Sequence, residues 1–212
     1  MKYTLAFILI ISAYAGVEYL AFDLGLEWYF PSEDEITFDL YVPLNYREAF
    51  GWIGLAFQDA RDARDKFACD YYIALLEDGL MTDRYAEANG FSKTDEDQGC
   101  VNDLTTSSEE LDKYLKISFT RKLETGDRCD IVLHKDKPLM VKFAIGPVID
   151  GNIEQHSFRY NGIEYIVLSE EYEDTNNDER FVYGPWMTHT YLDQKWYEEY
   201  GSPIPPETSY AS

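Results

Sequence analysis

Apolar residues at every second position dominate the chain and predict strands rather than helices. Ile36, Phe38, Leu40 and Val42 alternate with Thr37, Asp39 and Tyr41, the period-two pattern of a strand with one face on a core. Glu27 to Phe30 is a short aromatic strand closed by Pro31, and Pro43 ends the next before a connection over Leu44 to Ala49. Trp52 to Phe57 is a buried strand, separated by the charged stretch Gln58 to Lys66 from another at Tyr71 to Leu76. Asp78-Gly79 predicts a type I′ hairpin into Leu80 to Tyr85. Ala86 to Asn102 is a long polar loop, and loops of that length in compact domains are usually functional or stapled.

The second half continues in the same way. Tyr114, Ile117 and Phe119 mark one strand, Ile131 to Leu133 another beyond the turn Thr125-Gly126-Asp127, and Leu139 to Ile145 a third after Asp136-Lys137-Pro138. Asn161-Gly162 predicts a hairpin between Phe158–Tyr160 and Ile163–Leu168. No amphipathic helix and no internal repeat interrupts the series. About nine to eleven short strands with regular turn signals predict an all-β fold, an antiparallel β-sandwich.

The ends change the domain count. Lys2, the apolar run Tyr3 to Ile11 and the small residues of Ala13-Tyr14-Ala15 predict a signal peptide over residues 1–15, cut after Ala15, and a secreted, extracellular protein. The alternative, a membrane anchor, is disfavoured because the run is broken by Ser12 and closed by Glu18, short of the roughly 20 residues a spanning helix needs. No stable membrane insertion is expected. Residues 16–169 form the folded domain and residues 170–212 an acidic, Pro-containing extension, whose end, Gly201 to Ser212, is predicted to be disordered.

Of 212 residues, 40 are Asp or Glu and 18 Lys or Arg, a net charge of −22 that repels nucleic acid and anionic lipid and favours cations, basic partners or simple solubility, a solvated acidic surface being the plainer reading. Cys69, Cys100 and Cys129 leave one disulfide and one thiol in an oxidising compartment, with three pairings open. Enzyme chemistry finds no support: nucleophile elbow, phosphate loop and metal-binding His cluster are all missing, and His134, His156 and His189 lie in unrelated segments.

Several blocks carry a family likeness. Gly51-Trp52-Ile53-Gly54-Leu55-Ala56-Phe57 and Ala68-Cys69-Asp70-Tyr71-Tyr72-Ile73 resemble the core of DOMON domains. Phe119 to Asp127 followed by Asp130 is similar to their F-x-R-x-L-x-T-G-D-x-x-D block, and Asn102-Asp103-Leu104 and Phe143-Ala144-Ile145-Gly146 match two more. The resemblance spans Glu27 to Leu168 and implies an immunoglobulin-like sandwich, found in relatives of dopamine β-hydroxylase and in the cytochrome domain of cellobiose dehydrogenase. It also implies ligands: haem or carbohydrate.

Haem in the cytochrome branch sits between a Met just before the second core block and a later His. Here Phe67 stands in the Met position and cannot ligate iron, while His156 keeps the other. Met81 and Met140 are the possible substitutes, though alternation predicts both in the core. The non-haem members imply a calcium-like cation site, mapping here to Asp70, Asp103 and a carbonyl near Arg84. The plainer reading is that both acids cap turns. Sugar stacking would fall to Trp28, Trp52, Trp186 or Trp196, of which Trp52 is expected in the core. A Cys100–Cys129 bridge would close a loop of about 30 residues and contribute about 3–4 kcal/mol, leaving Cys69 buried or free to pair between chains. The sequence therefore predicts a secreted, non-enzymatic module binding a small ligand, cation or extracellular protein partner, with a b-type haem electron-transfer domain as the alternative.

Overall fold

The computed structural model describes residues 16–60, 69–86, 92–156 and 159–169, so the expected leader, the C-terminal extension, Phe67, Trp186, Trp196 and His189 lie outside the described residues. One sheet runs in the order β1 (Gly16–Leu20), β2 (Leu24–Tyr29), β3 (Glu35–Pro43), β9 (Tyr114–Lys122), β8 (Thr105–Glu110). The second runs β13 (Asn161–Val167), β10 (Pro138–Gly146), β4 (Trp52–Asp59), β5 (Cys69–Leu75), β6 (Met81–Ala86), β7 (Lys93–Thr94). A small ribbon pairs β11 (Val148–Ile149) with β12 (Asn152–Ile153), and α1 (Tyr46–Ala49) is a single helical turn. Every pairing is antiparallel, and the two large sheets face each other as a β-sandwich.

Alternation places the core where the sequence puts it. Ile36, Phe38, Leu40 and Val42 from β3 are fully buried, as are Ile53, Leu55 and Phe57 from β4. Rings from the two sheets meet in the middle: Phe38 lies 5.0 Å from Phe57, and Tyr72 stacks on Phe119 at 4.9 Å. Burying each such side chain contributes about 1.5–3 kcal/mol, so this cluster sets the spacing against which everything at the edges is hung.

Four local expectations are corrected, each for a physical reason. Ile131 to Leu133 is not a strand: Leu133 is buried, but its backbone makes a single bond to Leu123, and the Ile131 carbonyl accepts from Arg121. That apolar run signals burial without a ladder. Asn161-Gly162 is not a turn but the start of β13, paired with Ala144 and Phe143. Glycine is needed there because a Cβ would sit 2.2 Å from the Phe143 ring. The turn at Asp78-Gly79 is wider than type I′. Only Gly79 has positive φ, and its N–H closes on the Leu75 carbonyl at 2.8 Å. Finally, the described residues hold thirteen strands, more than the pattern predicts, because β1 buries Gly16 and Glu18 beside Leu20, β8 is polar throughout, and three strands have only two residues. Strand β8, Thr-Thr-Ser-Ser-Glu-Glu, is an exposed sheet edge held by β9 on one side. Its hydroxyls reach the other sheet: Thr106 accepts from the Met81 N–H and Ser108 donates to the Asp78 carbonyl.

Candidate cation site

Side chains alternate along β5, so Asp70 points inward on the same face as Tyr72 and Ala74. In the neighbouring strand Asp83 is paired opposite Tyr72, which makes it the diagonal neighbour of Asp70 on that inward face. The chain then crosses β7, and the Asp95 N–H bonds the Asp83 carbonyl at 3.2 Å. From the opposite sheet Arg121 leaves the end of β9, and the turn beyond it delivers Asp130. One carboxylate oxygen each from Asp70, Asp83 and Asp130 lies within 4.8 Å of the others.

The polar bookkeeping of this pocket does not close. Asp70 Oδ2 accepts from Tyr72 Oη at 2.6 Å, from Arg121 Nη1 at 2.5 Å and from the Ile131 N–H at 3.4 Å. Arg121 also donates to Tyr72 Oη and, through Nη2, to the Ile131 carbonyl at 2.9 Å. That accounts for one carboxylate oxygen. Asp70 Oδ1, both oxygens of Asp83, Asp95 and Asp130, and Asp103 Oδ1 are buried without a hydrogen-bond partner among the described residues. Asp83 is 1 % exposed and Asp95 is fully buried. An ionised carboxylate removed from water and left unpaired costs several kcal/mol, so these acids are neutralised either by protons or by a cation that takes their place.

The electrostatics give the same answer. Burial raises Asp83 to about 9, and the charges of Asp70, Asp130 and Asp95 push in the same direction. Asp95 is raised to about 7 by burial and by Asp130 and Asp70. Asp70 is raised to about 6 by burial, although Arg121 and the Tyr72 hydroxyl pull it down. Asp103 is raised as well, by burial and then by the charge of Asp130. Burial alone would lower Arg121, but Tyr72, Asp70 and Asp130 hold it above its ordinary value. One guanidinium therefore faces an excess of carboxylate. The donor set is all oxygen, which suits a hard divalent cation, and calcium accepts about 6–8 such ligands in irregular cages.

Of the sequence-derived ligands, Asp70 is at the centre. Asp103 stands beside Asp130 electrostatically but outside the set of three. In place of a carbonyl near Arg84, the adjacent Asp83 brings a carboxylate. Asp83, Asp95, Asp130 and Arg121 were not foreseen as a site. The available signals were an acid on the inward, apolar face of β6, and Asp130 closing the family-like block.

The remaining candidates lie elsewhere. Cys100 and Cys129 are joined as a disulfide, with Cα atoms 6.3 Å apart, and Cys69 is a buried thiol 3.4 Å from Lys142 Nζ. His156 lies on the other face of the second sheet, at the rim of a cleft of about 540 Å³ floored by Gly54 and Ala56 and flanked by Trp52, Tyr71 and Lys142. Its ring meets that of Trp52 edge-on at 6.3 Å, with Asn161 Nδ2 3.4 Å from its Nδ1. Met81 is in the core and Met140 is buried, and neither lines the cleft. Trp28 and Trp52 are buried, 5 % and 6 % exposed, and present no open face for a sugar ring.

No family model matches the chain, and no curated protein matches it. Among solved structures it is similar to the cytochrome domain of Myriococcum thermophilum cellobiose dehydrogenase, at 17% identity and a TM-score of 0.44, over 68% of this chain and 74% of that one.

Proposed function

We propose that the chain is a secreted, non-enzymatic binding module of the DOMON type, built around a calcium-class cation. Asp70, Asp83 and Asp130 would hold the ion directly, with Asp95 and Asp103 completing the acidic shell. The observation that carries this reading is the pair Asp83 and Asp95, both buried with neither oxygen of either partnered. Calcium is favoured over magnesium because an all-protein oxygen cage suits the larger ion, whereas magnesium keeps several of its waters. An extracellular location fits such a site, since extracellular calcium modules bind at about 10⁻⁴–10⁻³ M.

Calorimetric titration of the chelated, full-length protein with calcium tests it. The expected result is saturable binding together with a raised thermal midpoint. Asp83→Asn, which keeps shape and removes charge, should lose most of the affinity. No heat and no change in midpoint would sink the cation reading.

The haem alternative has one supporting observation, His156 at the rim of the cleft. The described lining offers that imidazole and no thioether, so the Met/His pair of an electron-transfer haem is not assembled from it. An absorption spectrum of protein from haem-replete cells is expected to lack a Soret band; a strong one would move the function to electron transfer.

A further inference from the structure

Two of the five acids of the shell ride on strands and three on two loops, and the loops are sewn together by the disulfide. Asp70 and Asp83 sit in the ladder of the second sheet. Asp130 directly follows Cys129 in a turn without ladder bonds, while Cys100 lies between Asp95 and Asp103 and its N–H bonds the Asp95 carbonyl at 2.8 Å. Two further ties run between the same loops: the Asp127 carboxylate accepts from the Val101 N–H at 2.7 Å, and Arg128 Nη2 donates to the Gln98 carbonyl at 2.5 Å, while Asp127 also accepts from the Cys129 N–H at 2.9 Å within its own turn. These contacts orient the loops, but none is covalent.

We propose that the Cys100–Cys129 disulfide is the clasp of the cation site, so that cation affinity and the redox state of this bond are linked. The inference rests on the cation reading above, and it draws on the unpartnered, fully buried carboxylates of Asp83 and Asp95 as the mark of a ligand position. With the bond closed, Asp130, Asp95 and Asp103 are presented to Asp70 and Asp83 as one preorganised set. With it open, the loops must be ordered by the ion itself, and that ordering is subtracted from binding. Linkage makes the effect reciprocal: a cation that prefers the closed form stabilises the disulfide by the same factor. In the step concerned, the disulfide takes two electrons and two protons from a dithiol reductant, giving two cysteine thiols while the reductant closes to its own disulfide. Cys69, buried beside Gln58 and Lys142 on the outward face of β5, takes no part.

The test uses the full-length protein and calcium alone as the probe. Calcium affinity is measured for the oxidised protein and for Cys100→Ser/Cys129→Ser, and the disulfide is equilibrated against a dithiol buffer with calcium and with chelator. The expected results are a weakening of calcium binding by about tenfold or more in the variant, within the usual range of site coupling. Calcium should also lower the reduction potential by the matching amount, about 30 mV per tenfold. The equilibration uses the native sequence, so it decides the matter even if the double variant does not fold. Equal potentials with and without calcium, in a protein that binds calcium, would overturn the clasp and leave the cation site standing. Failure of the oxidised protein to bind calcium at all would overturn both.

Discussion

At the scale of single residues, the informative feature is an acid where the strand pattern demands an apolar group. Asp83 shares its face with Met81, and its carboxyl is pushed up to about 9, against about 3.9 for an unperturbed Asp. In the calcium-free protein, between those two values, the native state keeps a proton that the unfolded chain has released. Stability therefore falls as pH rises through that window and recovers as pH drops. Asp95 and Asp70, raised to about 7 and about 6, act in the same direction over narrower windows. With calcium bound the slope flattens, because the ion holds the carboxylates ionised in the native state just as they are in the unfolded chain, and acid displaces it. Thermal midpoints between about pH 5 and pH 8 should thus slope downward with pH in chelator and be nearly flat in saturating calcium. Parallel slopes in the two buffers would mean that no ion is exchanged for protons here.

At the scale of elements, the strands built from apolar residues were legible, whether alternating or continuous, and the polar or very short ones were not. Strand β3 is readable because each inward residue is a large hydrophobe, and β10 because Leu139, Val141, Phe143 and Ile145 share a face. Strand β8 was unreadable because it is a polar edge whose order comes from β9 and from hydroxyl contacts with the facing sheet. Asn161-Gly162 misled because local turn chemistry and close packing call for the same residue. Here the glycine makes room for a ring, and the asparagine is simply the first residue of the strand. Replacing Gly162 with Ala should destabilise the protein by about 1–3 kcal/mol through overpacking, and Phe143→Leu in the same chain should restore part of the loss. Urea melts of the single and double variants measure this; an unchanged midpoint for Gly162→Ala would refute the close approach. The proposed cation site shows the same limit. Asp70 was found through its block, but the convergence of Asp83 and Asp130 depends on strand register and on a turn from the opposite sheet, which no spacing along the chain reveals.

At the scale of the whole molecule, the chain has a net charge of −22, and among the described residues the sandwich gathers a concentrated interior knot of acid. The knot is assembled from far apart in the chain: Asp70 and Asp83 belong to adjacent strands, whereas Asp130 arrives only after β8 and β9 have joined the other sheet. That geometry has a consequence for rates. Until the second half of the chain has docked, no complete cage exists, so an ion has little to grip in the folding transition state. Calcium should leave the refolding rate nearly unchanged and slow unfolding, the behaviour of an interaction formed after the barrier. Stopped-flow refolding and unfolding with and without calcium would show it, and a refolding limb accelerated by calcium would contradict it. For a protein expected to work outside the cell, the ion would then act as a latch on a finished structure: indifferent to how quickly the sandwich is made, and decisive for how long it lasts.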